Sequence, residues 1–237
     1  MSFALLALLL TSGPSLAIEG GAPARAGDRL ARATVAVGLL SQPSSGANFD
    51  RCSGVLIRPD LILTAAHCVS DSTVSAAVLF YNGSRPVPTA RVIVAVTRSP
   101  VAPGRIASDD LAARLRELSL DIALLRLASP VRDRAPIPLL RNRQAPPATL
   151  LLAGAGLSGE GTGILKTATL RPIAITDTGL VIASVIGARV CIGDSGGPVV
   201  TAGRGGPALW GVASAVISSR PPCGDIVVVA PATLLGR

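Results

Sequence analysis

One serine in this chain sits among residues suited to a nucleophile. The segment Cys191-Ile192-Gly193-Asp194-Ser195-Gly196-Gly197-Pro198 surrounds Ser195 with glycines. A serine hydroxyl attacks poorly until a base takes its proton and N–H groups accept the oxyanion that forms. Gly193 lets the backbone turn its amides inward, so that the N–H groups of Gly193 and Ser195 converge on one spot, while Gly196 and Gly197 clear side-chain bulk from a substrate's path. The base has a single candidate. His67 is the only histidine in the chain and lies in Leu63-Thr64-Ala65-Ala66-His67-Cys68. Asp121 opens the apolar run Asp121-Ile122-Ala123-Leu124-Leu125-Arg126-Leu127, which forces burial on its carboxylate and therefore a partner. A base oriented by a buried carboxylate is what acyl transfer from a serine requires.

The three blocks, in the order His, Asp, Ser, resemble those of the trypsin/chymotrypsin family of serine proteases. The resemblance implies a secreted serine endopeptidase working through an acyl-enzyme, with His67, Asp121 and Ser195 catalytic and the Gly193 and Ser195 amides as the oxyanion hole. It implies protein or peptide substrates, protein inhibitors as further partners, and no cofactor. A competing reading is a catalytically silent binding protein on the same fold, since a fold does not fix a function; retention of all three residues argues against it.

Composition agrees with strands. The apolar fraction is 49% and the aromatic fraction 2%, so a core must be built from Val, Leu, Ile and Ala, which suit β-structure. Short aliphatic runs alternate with turns at 34–40, 52–63, 74–81, 90–96, 150–157, 167–175, 180–186, 209–217 and 226–229, with Asn82-Gly83 marking a hairpin turn between Val74–Tyr81 and Ala90–Val96. The expected fold is all-β, two antiparallel six-stranded Greek-key barrels with the active site between them. One helical pattern stands out: Leu111, Leu115 and Leu118 share a face, Ser108 can cap it, and Asp109 and Asp110 suit its first turn. A Pro- and Arg-rich link, 131–147, separates an N-terminal barrel at about 18–130 from a C-terminal one at about 148–237.

The net charge is +8, and Lys166 is the only lysine among 22 basic residues. The arginines are scattered and not interleaved with stacking aromatics, which excludes a nucleic-acid stripe. Residues 3–10 are apolar but too few to span a bilayer, and with Ser15-Leu16-Ala17 they read as a signal peptide over 1–17, so no membrane span is expected and the mature protein is expected to be a secreted monomer. Four cysteines allow three pairings. With no Cys-x-x-Cys pair and the one histidine engaged as base, a metal site lacks ligands. The family resemblance implies Cys52 with Cys68 and Cys191 with Cys223.

The resemblance also implies an activation pair. Ile18-Glu19-Gly20-Gly21 is similar to the mature start of family members, whose α-amino group inserts beside the residue corresponding to Asp194. Aligned on Ser195, Arg189 falls at the floor of the substrate pocket, where trypsin-type cleavage after Lys or Arg would need an acid. Either an acidic P1 side chain meets its guanidinium or an internal group does, Asp225 being the candidate; if Arg189 instead turns to solvent, the pocket is apolar and takes small side chains. Ser214-Ala215-Val216 aligns with the family's substrate-binding strand, Ser214 within reach of Asp121 and Val216 narrowing the pocket mouth. Gly154-Ala155-Gly156 is close to the family's Gly-Trp-Gly without the tryptophan.

Overall fold

Strands of four to eleven residues with alternating aliphatic side chains bury one face each, and the chain closes them into rings that leave no long open edge. The computed structural model describes residues 17–42, 44, 46–99, 110–140, 145–158, 161–201, 205–218 and 221–232. Residues 1–16 of the expected signal peptide (1–17), Ser108 and Asp109 lie outside the described residues.

The first barrel comprises β1 (Thr34–Ser41), β2 (Asn48–Arg58), β3 (Leu61–Thr64), β4 (Thr73–Asn82), β5 (Arg91–Arg98) and β6 (Ala123–Leu127). Its ring runs β1-β2-β3-β6-β5-β4 and closes on β1, every pairing antiparallel. The second comprises β7 (Leu150–Gly154), β8 (Lys166–Ile175), β9 (Val181–Ile186), β10 (Pro198–Thr201), β11 (Ala208–Ile217) and β12 (Ile226–Pro231). Its ring, β7-β8-β9-β12-β11-β10, repeats the first connection for connection, a Greek key in each half. The expected all-β double barrel is the observed fold.

Alternation explains the inward faces. On β6, Ala123, Leu125 and Leu127 are buried while Arg126 points out and pairs with Asp60 at 2.6 Å. Val35, Val37, Leu39, Leu56 and Ile62 fill the first barrel, and Leu150, Leu152, Leu170, Val181, Val199 and Val227 the second. Val200, Leu209 and Val212 of the second barrel join the core cluster of the first, so the halves share apolar surface where they meet.

Three local expectations change. The Asn82-Gly83 turn returns only through Arg85–Pro86; β5 touches β4 just at Ala77 and Val78 and pairs chiefly with β6, because closing the ring needs that edge. The helix forms at Leu111–Ser119, with Asp110 capping it through a carboxylate that accepts the Ala112 amide at 2.9 Å. It packs against β12 of the other barrel, immediately ahead of Asp121. Strand β10 follows the serine loop, a short apolar run that sequence periodicity had not marked.

Arg134, in the link between barrels, is largely buried over the Phe80 ring at 4.8 Å and donates to the carbonyls of Tyr81 at 2.6 Å and Arg32 at 3.1 Å. It ties the link to β4 and to the short helix Arg29–Ala33. Among the described residues no helix is long and apolar enough to cross a membrane.

Candidate active site

The register between β3 and β6 pairs Thr64 with Ala123. In an antiparallel pair the residues just past one strand meet those just before the other, so His67 and Asp121 are brought to the same barrel end. The Asp121 carboxylate accepts the His67 backbone N–H at 2.8 Å, lies 2.7 Å from His67 Nδ1, and accepts the Ser214 hydroxyl at 2.5 Å. Burial of Asp121 acts to raise its pKa, but the hydrogen bond and charge of His67 and the Ser214 hydroxyl outweigh it and hold the carboxyl below its ordinary value. An ionised carboxylate only accepts, so Nδ1 carries the imidazole proton and the neutral ring keeps its lone pair on Nε2. The Cys52–Cys68 disulfide ties the histidine turn, Ala66–Cys68, back to β2.

The serine loop lies against this strand pair. The Ser195 carbonyl accepts the Ser53 amide at 2.7 Å and sits 3.9 Å from Cys68 Sγ, one residue from His67. Gly196 permits the approach: a Cβ there would stand 2.1 Å from Thr64 Oγ1 and 2.3 Å from the Ser53 carbonyl. Around Ser195 the amides of Asp194, Gly196 and Gly197 bond to the carbonyls of Cys191, Ala213 and Asp194. Those of Gly193 and Ser195 donate to no other group among the described residues. Gly193 has φ 90°, a conformation open to glycine.

Asp194 faces away from the cleft and is fully buried. Its carboxylate accepts N–H groups from Cys191 at 2.8 Å, Ile18 at 3.1 Å and Gly156 at 3.1 Å. Burial outweighs these neutral donors and the nearby Lys166, and pushes its pKa up to about 7. The Gly154-Ala155-Gly156 segment forms the cradle, since a Cβ on Gly154 would stand 2.3 Å from Asp194 Oδ1. Ala17 is also buried here, its carbonyl accepting Lys166 Nζ at 3.3 Å.

Beside Ser195 a recess of about 120 Å³ is lined by Val190, Cys191, Ile192, Ala213, Ser214, Ala215 and Val216. Arg189 is not part of that lining. Its guanidinium bonds to Glu19 Oε2 at 2.9 Å and to the Cys223 carbonyl, while the backbones of Glu19 and Arg189 exchange two hydrogen bonds of 2.8 Å. Its acidic partner is therefore Glu19 in place of Asp225, which is exposed at the start of β12 and offers its carbonyl to Val185 at 2.8 Å. The Cys191–Cys223 disulfide forms one wall.

Among the described residues, two clusters carry metal-ligating residue types, Cys52 with His67 and Cys68, and Glu19 with Cys191 and Cys223. In both, the cysteines are joined as disulfides and offer no thiolate. Two residues that no motif flagged also matter here. Glu19 holds Arg189, and Ser53 supports the serine loop; a polar residue next to Cys52, in a strand otherwise turning apolar, was the only hint of the latter.

Comparison with known proteins points the same way. A Streptomyces glaucescens trypsin-like protease is 30% identical over 171 residues, which is 62% of this chain and 58% of the relative's own length. Among solved structures, HL collagenase superposes with a TM-score of 0.65 at 22% identity, covering 92% of this chain and 94% of that one. A scabies mite inactivated protease paralogue gives 0.64 at 20% identity, covering 92% and 95%. The trypsin family model matches residues 18–233, and with a double barrel carrying the His, Asp and Ser blocks at one junction, this chain belongs to the trypsin/chymotrypsin-like family of serine proteases.

Proposed function

We propose that this chain is a secreted serine endopeptidase with Ser195 as nucleophile, His67 as general base and acid, and Asp121 as the group that orients the imidazole. The reading rests chiefly on the His67–Asp121 contact of 2.7 Å, in a site where the Gly193 and Ser195 amides donate to no other group among the described residues. His67 Nε2 takes the Ser195 hydroxyl proton as Oγ attacks the scissile carbonyl, and the two amides receive the oxyanion. The protonated imidazole then gives that proton to the leaving amine. Water repeats the sequence to free the acyl group. Asp121 stays ionised throughout, stabilising the imidazolium across the Nδ1 hydrogen bond.

The recess of about 120 Å³, aliphatic at Val190, Ala213 and Val216, suits a small apolar side chain before the cleaved bond (P1). With Arg189 occupied by Glu19, the recess offers no anion to hold a Lys or Arg side chain. Two disulfides favour an oxidising compartment and so secretion.

The competing reading is a silent binding protein, and the likeness to an inactivated paralogue shows that this fold alone does not decide. A fluorophosphonate probe separates the two. Labelling of the protein that is lost in Ser195→Ala supports the enzyme, whereas folded protein that takes no label supports the binding module. A peptide library then reads P1, and cleavage after Lys or Arg would overturn the pocket assignment.

A further inference from the structure

Every polar group of Ser53 is engaged, and three of its four bonds cross to the other barrel. Its amide donates to the Ser195 carbonyl at 2.7 Å, its hydroxyl donates to the Gly193 carbonyl at 2.8 Å, and the same oxygen accepts the Ala155 amide at 2.9 Å. Its carbonyl takes the Thr64 hydroxyl at 2.7 Å, which fixes it to the strand leading to His67. Ser53 itself is fully buried, and Ala155 is 1% exposed. Water is thus kept from substituting for these contacts.

We propose that Ser53 is the positioning residue of the oxyanion hole, an inference that rests on the peptidase reading above. The N–H of Gly193 must face the cleft, yet glycine at φ 90° sets no direction of its own. The peptide between Ile192 and Gly193 is bracketed on one side by the Cys191–Cys223 disulfide and on the other by the Ser53 hydroxyl on the Gly193 carbonyl. The Ser195 amide is held in the same manner, since the following carbonyl is tied to the Ser53 N–H. One residue of β2 therefore sets the direction of two donors on the other barrel, Gly193 through its side-chain hydroxyl and Ser195 through its backbone N–H. Oxyanion donors act only when aimed at the developing charge, so loosening them lowers the rate of the chemical step without weakening substrate binding.

The test uses protein beginning at Ile18, as wild type and as Ser53→Ala, with a peptide ester of small apolar P1 and a matched peptide trifluoromethyl ketone, whose adduct carries an oxyanion. Ser53→Ala is expected to lower kcat by about 10- to 100-fold, less than outright removal of an oxyanion donor. KM stays within about twofold, and ketone affinity falls in step with kcat. A merely structural residue would not separate ketone affinity from KM. Folded Ser53→Ala with unchanged kcat, or with kcat and ketone affinity uncoupled, overturns the proposal. Should Ser53→Ala fail to fold, Ser53→Gly admits a water between the Gly193 carbonyl and the Ala155 amide. That water has no tether to β2, so kcat still falls, by at least about threefold with KM unchanged; wild-type kcat in Ser53→Gly overturns the proposal too. If the wild type opens no ester and takes no phosphonate, the peptidase reading fails and this inference falls with it. An active wild type with indifferent Ser53 variants refutes the inference alone.

Discussion

Release of a free amino group at Ile18 should change both the pH dependence of stability and the reactivity of Ser195. In the structure Ala17 still precedes Ile18, so the donor 3.1 Å from Asp194 Oδ2 is a neutral amide, and the buried carboxyl is pushed up to about 7 from its ordinary 3.8. A carboxyl whose folded pKa exceeds its unfolded one binds its proton more tightly in the native state. Stability therefore declines as pH rises between about 4 and 7 and levels off above that, a loss on the order of 4 kcal/mol. An α-ammonium at Ile18 reverses this by placing a full charge beside the carboxylate, worth about 4 kcal/mol at 4 Å in a medium of intermediate polarity. The carboxyl then stays ionised, and the contribution is lost only as the amine deprotonates, above its ordinary value of about 8. Two proteins make the comparison, one beginning at Ile18 and one retaining Ser15-Leu16-Ala17. Urea unfolding at pH 5 and pH 7.5 should show about 2.5 kcal/mol lost by the extended form only. Its phosphonate labelling at pH 7.5 should be at least about tenfold slower, because an uncompensated buried charge strains the loop carrying Gly193. Equal pH profiles and equal labelling rates in the two forms would refute the reasoning.

Gly156→Ala should separate the same two forms, since a Cβ there would stand 2.2 Å from the Ala17 Cα. Both forms pay for its positive φ of 32°, but only the extended one meets the clash, so its melting temperature should fall further. Val216→Gly removes an aliphatic wall of the recess, and the ratio of kcat/KM for P1 Phe over P1 Ala should rise at least about tenfold. Arg134→Ala leaves the Tyr81 and Arg32 carbonyls without their donor and removes the cation over Phe80, which should cost about 2 to 4 kcal/mol in urea unfolding with KM unchanged.

The candidate site of this chain was legible because its residues lie in short contiguous blocks. Gly193-Asp194-Ser195-Gly196-Gly197 has few structural reasons to exist apart from an exposed nucleophile, and the lone His67 and the buried Asp121 then follow as requirements. The aliphatic alternation of runs such as 181–186 fixed strands, and two sets of such runs with almost no helix left double barrels as the expected fold. Tertiary structure decided what depends on partners far apart in the chain. Arg189 found Glu19 because an antiparallel bridge brings residues 170 positions apart side by side, which no local pattern encodes. Ser53 gained its part because the barrels press β2 against the serine loop, and buried hydrogen-bonding groups must be satisfied wherever that contact falls. Side-chain type sets which reactions a chain is able to perform. Which polar group meets which is set by the packing of barrels whose registers only the whole fold determines.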